Sequence, residues 1–533
     1  MAPFSWGPDD SLVTPLPYSA LLGRGFRHAS TPSASRVPIP RLRSFKPSRR
    51  WSQTWRCAFT NLQYVTQAIS ALTLESIGEA PDVFAFEDYC KAPTDRFRVH
   101  LHALLNGAEY SSGELIPFPI RCGEKSRTLA ICRPSDLLVY RIALSRIACD
   151  LDRNLHDAVC AQRLSKPGPA WKFRTKKASW TQFTARSLSA LAVGRPEMLQ
   201  VDIEDYYPSV APHVVSAALK AWGARERDSL HVIALLQGWA AQFGLRGLPI
   251  GPTGSALIAT SLLATLDEVC ERHGLEFTRF MDDMRIFGSS LDSTGVQEAL
   301  AAAANLLGLR LHPRKTTIVE YAEAKHRVTN RTITSLGSAL HRGDVDGLER
   351  FSLEYLSRSP GDIELPEFRW ILGQATRQHL FSVCELLANT EDLMLIDPKS
   401  VGQLFVNTEC AVRYGDRLFC ALAAGISSPD LELQLLRSVT GIPKGANETS
   451  LLLEIATDPE RLPPVRAWAT KALGLDAGQR RIEELVEDEA QPFFVRRAAV
   501  GSLRGLAKCR GLLKHVGHRN PDLAPTCDWA TAA

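Results

Sequence analysis

Phe277–Gly288 reads FTRFMDDMRIFG, two short runs of strand-forming residues on either side of adjacent carboxylates. The alternation of Phe, Ile and Met predicts two strands, with Asp282-Asp283 where the chain turns back. An Asp-Asp turn is commonly no more than a turn, because Asp hydrogen-bonds locally and tolerates the backbone geometry. Here Phe280, Met281 and Met284 crowd it, and bulky apolar residues seldom gather at a solvated tip. Two like charges held together and half-buried are costly unless a cation neutralises them. The pair therefore points to a divalent metal.

Upstream, Leu199–Val210 reads LQVDIEDYYPSV. It predicts a strand ending at Asp202, then a turn with two aromatics and a strand-stopping proline. A carboxylate at one strand end and two more in a nearby hairpin can share hard cations. Mg²⁺ takes oxygen ligands and keeps positions open for substrate phosphates. Two such ions roughly 4 Å apart clamp the attacking and leaving oxygens of a phosphoryl transfer. Between the two motifs, Gly247–Gly254 holds three glycines and two prolines, a loop whose backbone can approach a ligand closely. A helix is expected from about Ser255, with Ile258, Leu262, Leu266 and Cys270 at helical spacing and Gly274 ending it.

These stretches also carry a family resemblance. Asp202-Ile-Glu-Asp-Tyr-Tyr207 resembles the first palm motif of reverse transcriptases, and Phe280-Met-Asp-Asp283 their aromatic-x-Asp-Asp box. Gly247–Ser255 is similar to the Leu-Pro-x-Gly-x-x-x-Ser motif, with Ile250 where Gln is common. Leu309–Thr316 resembles the Leu-x-Leu-Asn-x-x-Lys-Thr element, with His312 in place of Asn. Lys125–Asp136 is similar to the fingers motif that opens the catalytic core. The resemblance implies an RNA-directed DNA polymerase, a nucleotidyltransferase of α/β (α+β) right-hand fold with fingers and palm. Its catalytic carboxylates would be Asp202, Asp282 and Asp283, holding two Mg²⁺ ions with Mn²⁺ as a substitute, and the carbonyl of Ile203 would be a further ligand. Tyr207 would lie under the incoming sugar and disfavour a 2′-hydroxyl; ordinary packing at a strand end is the alternative, and the better reading for Tyr206. Arg127 and Lys315 match the basic residues of the fingers and late palm motifs and would bind the triphosphate; a plain surface charge is the alternative for either. Pro249, Ile250 and Gly251 would face the nascent base pair.

The chain has 533 residues, enough for three or four domains. Its 45% hydrophobic and 23% charged residues match an ordinary globular protein. No apolar run approaches the roughly 18 residues of a membrane span, and no signal pattern opens the chain, so a cytoplasmic protein that makes no membrane contact is expected. Twelve cysteines without a C-x-x-C pair argue against a zinc site or a disulfide framework. Net charge is only +4, but Ser11–Leu74 contains no acidic residue and is rich in Arg. Interleaved Pro and Ser make residues 1–50 a basic, extended arm suited either to phosphate contacts or to a solvated tail. A second basic cluster, Lys166–Lys177 (KPGPAWKFRTKK), offers Lys166, Trp171, Lys172, Arg174, Lys176 and Lys177 to a single-stranded nucleic acid. A surface loop with a partly buried Trp is the alternative.

The fingers and palm are expected over residues 51–320 and a thumb-like helical segment over 321–360. Ser357–Pro366 reads as a linker. Over 366–520 an all-α domain is expected, because Val465–Gly474 and Val495–Arg504 echo each other at a 30-residue offset. The echo resembles HEAT-like repeats; a plain helical bundle is the alternative. A reverse transcriptase core followed by such helices, without a mobility domain, resembles the prokaryotic abortive-infection and defence-associated reverse transcriptases. That resemblance implies deoxynucleoside triphosphates and DNA or RNA as partners, an antiphage role, and synthesis without a conventional template or from a protein hydroxyl. Tyr321, Tyr355 and Tyr414 are then priming candidates. A conventional RNA-templated enzyme of a retron or intron-like element, with its non-coding RNA, is one rival, and a nucleic-acid-sensing scaffold another. Self-association through the helical region is a further expectation.

Overall fold

The computed structural model describes residues 62–75, 81–91, 95–106, 112–168, 170–244, 247–291, 295–406 and 408–532. The basic arm at residues 1–50 lies outside them. Strands β1 (Leu115–Cys122) and β2 (Lys125–Cys132) form an antiparallel hairpin, and β3 (Leu164–Lys166) with β4 (Lys172–Phe173) a smaller one. The main sheet has four strands in the order β6-β7-β5-β8: β5 (Glu197–Val201), β6 (Glu276–Phe280), β7 (Asp283–Gly288) and β8 (Thr317–Glu320). Every pairing in it is antiparallel, so helices segregate to its faces in an α+β arrangement.

The alternation of side chains decides what each face meets. Leu199, Val201, Met284 and Ile286 enter a core with the helices Pro134–Asn154, Thr253–Leu262 and Ala264–Arg272. Pro134–Asn154 is buried nearly all round, as a helix running through a core must be. Met198, Phe287 and Val319 point the other way, where Lys176–Ala192 and Tyr321–Val328 cover them with Leu191, Ala324 and Val328. The helix expected from Ser255 starts at Thr253, and Gly274, at φ +64°, follows its continuation.

From Val345 onward the described chain is helical. The 30-residue echo falls on the second helices of two consecutive helical hairpins, Ala446–Thr457 with Pro463–Leu473 and Gln479–Glu487 with Phe493–Ser502. Both echoes use their arginine alike: Arg466 Nε donates to the Ala456 carbonyl at 3.0 Å, and Arg496 Nε to the Val486 carbonyl at 3.1 Å. Each closes the open end of the preceding helix.

This helical half does not stand apart. Ile116, Phe118, Ile120 and Leu129 of the β1–β2 hairpin belong to the same apolar core as the C-terminal helices. The Arg121 N–H donates to Asp430 Oδ2 at 2.6 Å, and the Gly123 N–H to the Ile396 carbonyl at 2.8 Å. Buried Arg497 reaches back to Asp82 and Asp88, with Nη2 2.6 Å from Asp88 Oδ1, and Thr526 Oγ1 donates to Asp88 at 2.6 Å. Among the described residues every cysteine is a free thiol, and no helix is long and apolar enough to cross a membrane.

Candidate active site

The register of the main sheet builds the site. Val201 pairs with Met284, so Asp202, one residue beyond β5, comes level with Asp283 at the start of β7. Phe280 pairs with Asp283, which leaves Met281-Asp282 as a two-residue turn. The turn is thus one residue earlier than the Asp282-Asp283 corner expected from sequence. Met281 adopts φ +58°, a left-handed conformation that tight hairpins usually give to glycine. Strain of this kind, of order 1–3 kcal/mol, persists where the surroundings dictate it.

Beyond β5 the chain continues beside Leu311. The Glu204 N–H donates to the Arg310 carbonyl at 2.9 Å, and the His312 N–H to the Asp202 carbonyl at 2.8 Å. Ile203 therefore sits in the non-hydrogen-bonded register, and its carbonyl takes no part in this ladder. The same ladder brings Leu309–Thr316 against the carboxylates. Lys315 Nζ is ion-paired to Asp202 Oδ2.

The electrostatics follow from this crowding. Burial, with the Asp202 charge adding to it, pushes the Asp282 carboxyl up to about 6. Burial raises Asp283 as well, against the opposing field of Arg285. Asp283 Oδ1 is enclosed and has no hydrogen-bond partner. Three cations face the group. Lys315 pairs with Asp202; Arg127 lies close enough for its charge to oppose the burial that raises Asp282 and Tyr207; and Lys125 is itself lowered, by burial and then by the neighbouring Lys315 charge. Lys125 is the residue that motif reading left without a role. Its signal was available, since it stands two positions before Arg127 on the same face of β2.

An orphaned carboxylate oxygen beside two more carboxylates is a donor set for a hard divalent cation. Among the described residues, however, no three Asp, Glu, His or Cys side chains close into a ready-made cage. The strand ends bring the aspartates together, and Lys315 supplies the nearest positive charge.

Tyr206 is buried, its hydroxyl donating to the Ala259 carbonyl, as packing predicts. Tyr207 is half-buried beside it, ring centroids 5.6 Å apart in an edge contact. The Leu248 N–H donates to the Tyr207 carbonyl at 2.8 Å. Gly247 lies flush against the same segment, where a Cβ would come within 2.4 Å of the Tyr207 and Pro208 carbonyls. Pro249 is buried, and Gly251 at φ +129° holds a backbone conformation suited to glycine.

Residues 140–340 match the family model described as reverse transcriptase (RNA-dependent DNA polymerase). This part of the chain is a reverse transcriptase domain. Such domains belong to the nucleotidyltransferases and work with divalent metal ions. The chain is also similar to the retron Mx162 reverse transcriptase of Myxococcus xanthus, at 26% identity over 251 residues. The match covers 41% of this chain and 46% of that relative, less than half of either.

The reverse transcriptase domain treats the second basic cluster differently from the sequence expectation. Trp171 is 0% exposed, with the Arg141 guanidinium 4.3 Å from its ring centroid, so it is no platform for a base. It packs because Arg141, buried in an ion pair with Glu75 at 2.6 Å, needs a flat apolar cover. Lys166, Lys172, Arg174, Lys176 and Lys177 are exposed around it. Of the priming candidates, Tyr355 and Tyr414 are buried, their hydroxyls bonded to the Glu364 N–H at 2.9 Å and the Phe381 carbonyl at 2.8 Å. Tyr321 is 42% exposed.

Proposed function

We propose that this chain is a DNA polymerase that adds deoxynucleotides by two-metal phosphoryl transfer and serves in antiphage defence, with synthesis free of a conventional template or primed by a protein hydroxyl. The observation that carries the polymerase reading is the meeting of Asp202, Asp282 and Asp283 at adjacent strand ends, opposite Lys125, Arg127 and Lys315. Carboxylates alone would repel a triphosphate. Carboxylates faced by three cations make a site with an acidic half for metal and a basic half for phosphate.

Asp202, Asp282, Asp283 and the Ile203 carbonyl would hold Mg²⁺, with Mn²⁺ as a substitute. When bound, such ions activate a hydroxyl toward the α-phosphate and stabilise departing pyrophosphate. The remaining work belongs to the chain's own groups. Lys125, Arg127 and Lys315 bind and orient the triphosphate. Tyr207, held by Gly247 and Leu248, forms the floor under the sugar. The exposed lysines and Arg174 around β3–β4 provide charge for a nucleic-acid backbone. The helical hairpins with matching Arg466 and Arg496 support a HEAT-like reading of the C-terminal region, and through it self-association.

A purified-protein test separates the readings. Incorporation of deoxynucleotides with Mg²⁺ and no template, lost in the Asp282→Ala/Asp283→Ala protein and shifted by protease treatment, supports the defence reading. The resemblance to a retron enzyme favours a second one: an RNA-templated reverse transcriptase working with a non-coding RNA. Activity seen only on primed RNA selects it. A defence effect that survives the double alanine change would instead reveal a scaffold.

A further inference from the structure

One position that departs from the reverse transcriptase motifs is Ile250, and its surroundings explain an apolar residue there. Ile250 is half-buried and packs against the apolar core that the β1–β2 hairpin shares with the C-terminal helices. Its backbone is joined to the same hairpin: the Ala130 N–H donates to the Ile250 carbonyl at 2.8 Å, and Leu129 bridges to Ile250 in parallel register. An amide side chain here would leave polar atoms against apolar neighbours, at a cost in desolvation.

The loop is held at both ends of this anchor. Before it, Leu248 is bonded to the Tyr207 carbonyl at 2.8 Å. After it, the Thr253 N–H donates at 2.9 Å to Glu75 Oε2, within the buried Glu75–Arg141 pair. Behind Gly251 and Pro252 lies a cavity of about 50 Å³, whose far wall is Ala467, Trp468 and Phe494 of the two helical hairpins. The helical half thus stands directly behind the loop that meets the nucleotide.

We propose that Ile250 is a positioning residue through which the C-terminal helices set the place of Gly251 and hence the fit of the incoming deoxynucleotide. The proposal rests on the polymerase reading above. The β1–β2 hairpin transmits the setting, because one of its faces is fixed to the helices while β2 carries Lys125 and Arg127 to the carboxylates. A polymerase built this way senses the state of its helical region at the nucleotide loop, without that region touching the nucleotide.

The test uses the full chain with Ile250→Ala, Ile250→Val and Trp468→Ala, each checked for helix content. Hydrogen–deuterium exchange reads the loop directly and needs no activity. Exchange over residues 247–254 is expected to quicken in Ile250→Ala and in Trp468→Ala, while β5 and β7 keep their protection. Ile250→Val is expected to fall between wild type and Ile250→Ala. In steady-state incorporation the deoxynucleotide KM rises about tenfold, with the dissociation constant for nucleic acid unmoved. Unchanged loop exchange in both variants overturns the link, whatever the activity. Quickened loop exchange with an unmoved KM overturns the positioning role. A wild-type protein that incorporates nothing under any template condition, with loop exchange still responding, overturns the polymerase reading and the nucleotide role with it.

Discussion

The Lys315 ammonium is ion-paired to the Asp202 carboxylate, which ties the stretch before β8 to the end of β5 at the point where the acidic groups converge. Under the proposed function, Lys315 is thereby held between the carboxylates that would take metal and the cations that would take phosphate. Its replacement by Met removes a charge-assisted hydrogen bond worth about 1.5–3 kcal/mol. We expect the deoxynucleotide KM to rise by about ten- to a hundredfold, with partial recovery in Lys315→Arg. Steady-state incorporation across a nucleotide series measures it.

Asp282 makes stability depend on pH in a defined direction. Its carboxyl is held up to about 6 in the folded protein, against about 4 in an unfolded chain. Between those values the folded state binds more protons than the unfolded one, so this group's contribution to stability falls as pH rises. With a chelator present, Asp282→Asn is expected to melt higher than wild type at pH 7.5, and the difference to shrink toward pH 4.5. Thermal melts of the two proteins side by side check it, and the same substitution abolishes incorporation.

Trp171 and its basic neighbours should separate cleanly. Trp171→Ala opens a cavity above Arg141 and is expected to cost about 3–5 kcal/mol in denaturant unfolding. Neutralising Lys172, Arg174, Lys176 and Lys177 together leaves stability nearly unchanged. It should weaken single-strand binding and flatten the dependence of log K on log salt, by roughly 0.7 for each phosphate that the variant no longer neutralises. A fluorescence titration at several salt concentrations reads that slope.

Arg497 carries a buried charge between Asp82 and Asp88. Arg497→Met strands two carboxylates in an apolar setting and is expected to destabilise by about 3–5 kcal/mol. Adding Asp82→Asn and Asp88→Asn should restore much of the loss, because the uncompensated charges go with them. Chemical denaturation of the three proteins checks this.

Much of the acidic centre could be read from the chain because its elements are local. Period-two alternation around Phe277–Gly288 marks a hairpin, and a strand that ends in Asp202 needs only an antiparallel partner to bring that carboxylate beside Asp283. The position of the corner escaped, since nothing local announces that Met281 will take a left-handed backbone. Trp171 misled because an aromatic among lysines looks exposed, whereas its cover, Arg141, comes from thirty residues upstream. The echo at Val465 and Val495 was visible as small residues in register. That the C-terminal helical region, through Asp430 and Ile396, would close over the β1–β2 hairpin was not, because Ile116 and Phe118 only alternate, and alternation does not name a partner.

The clasp of Asp82 and Asp88 by Arg497 joins residues 415 and 409 positions apart. As the chain leaves the ribosome, Asp82 and Asp88 must wait for more than four hundred further residues before their charges are met. Until then two aspartates and the apolar side of a β-hairpin are bare. Synthesis of the helix Phe493–Ser502 is therefore the step that secures Glu87–Lys91, and a messenger cut short before it would leave that segment with its charges unmet.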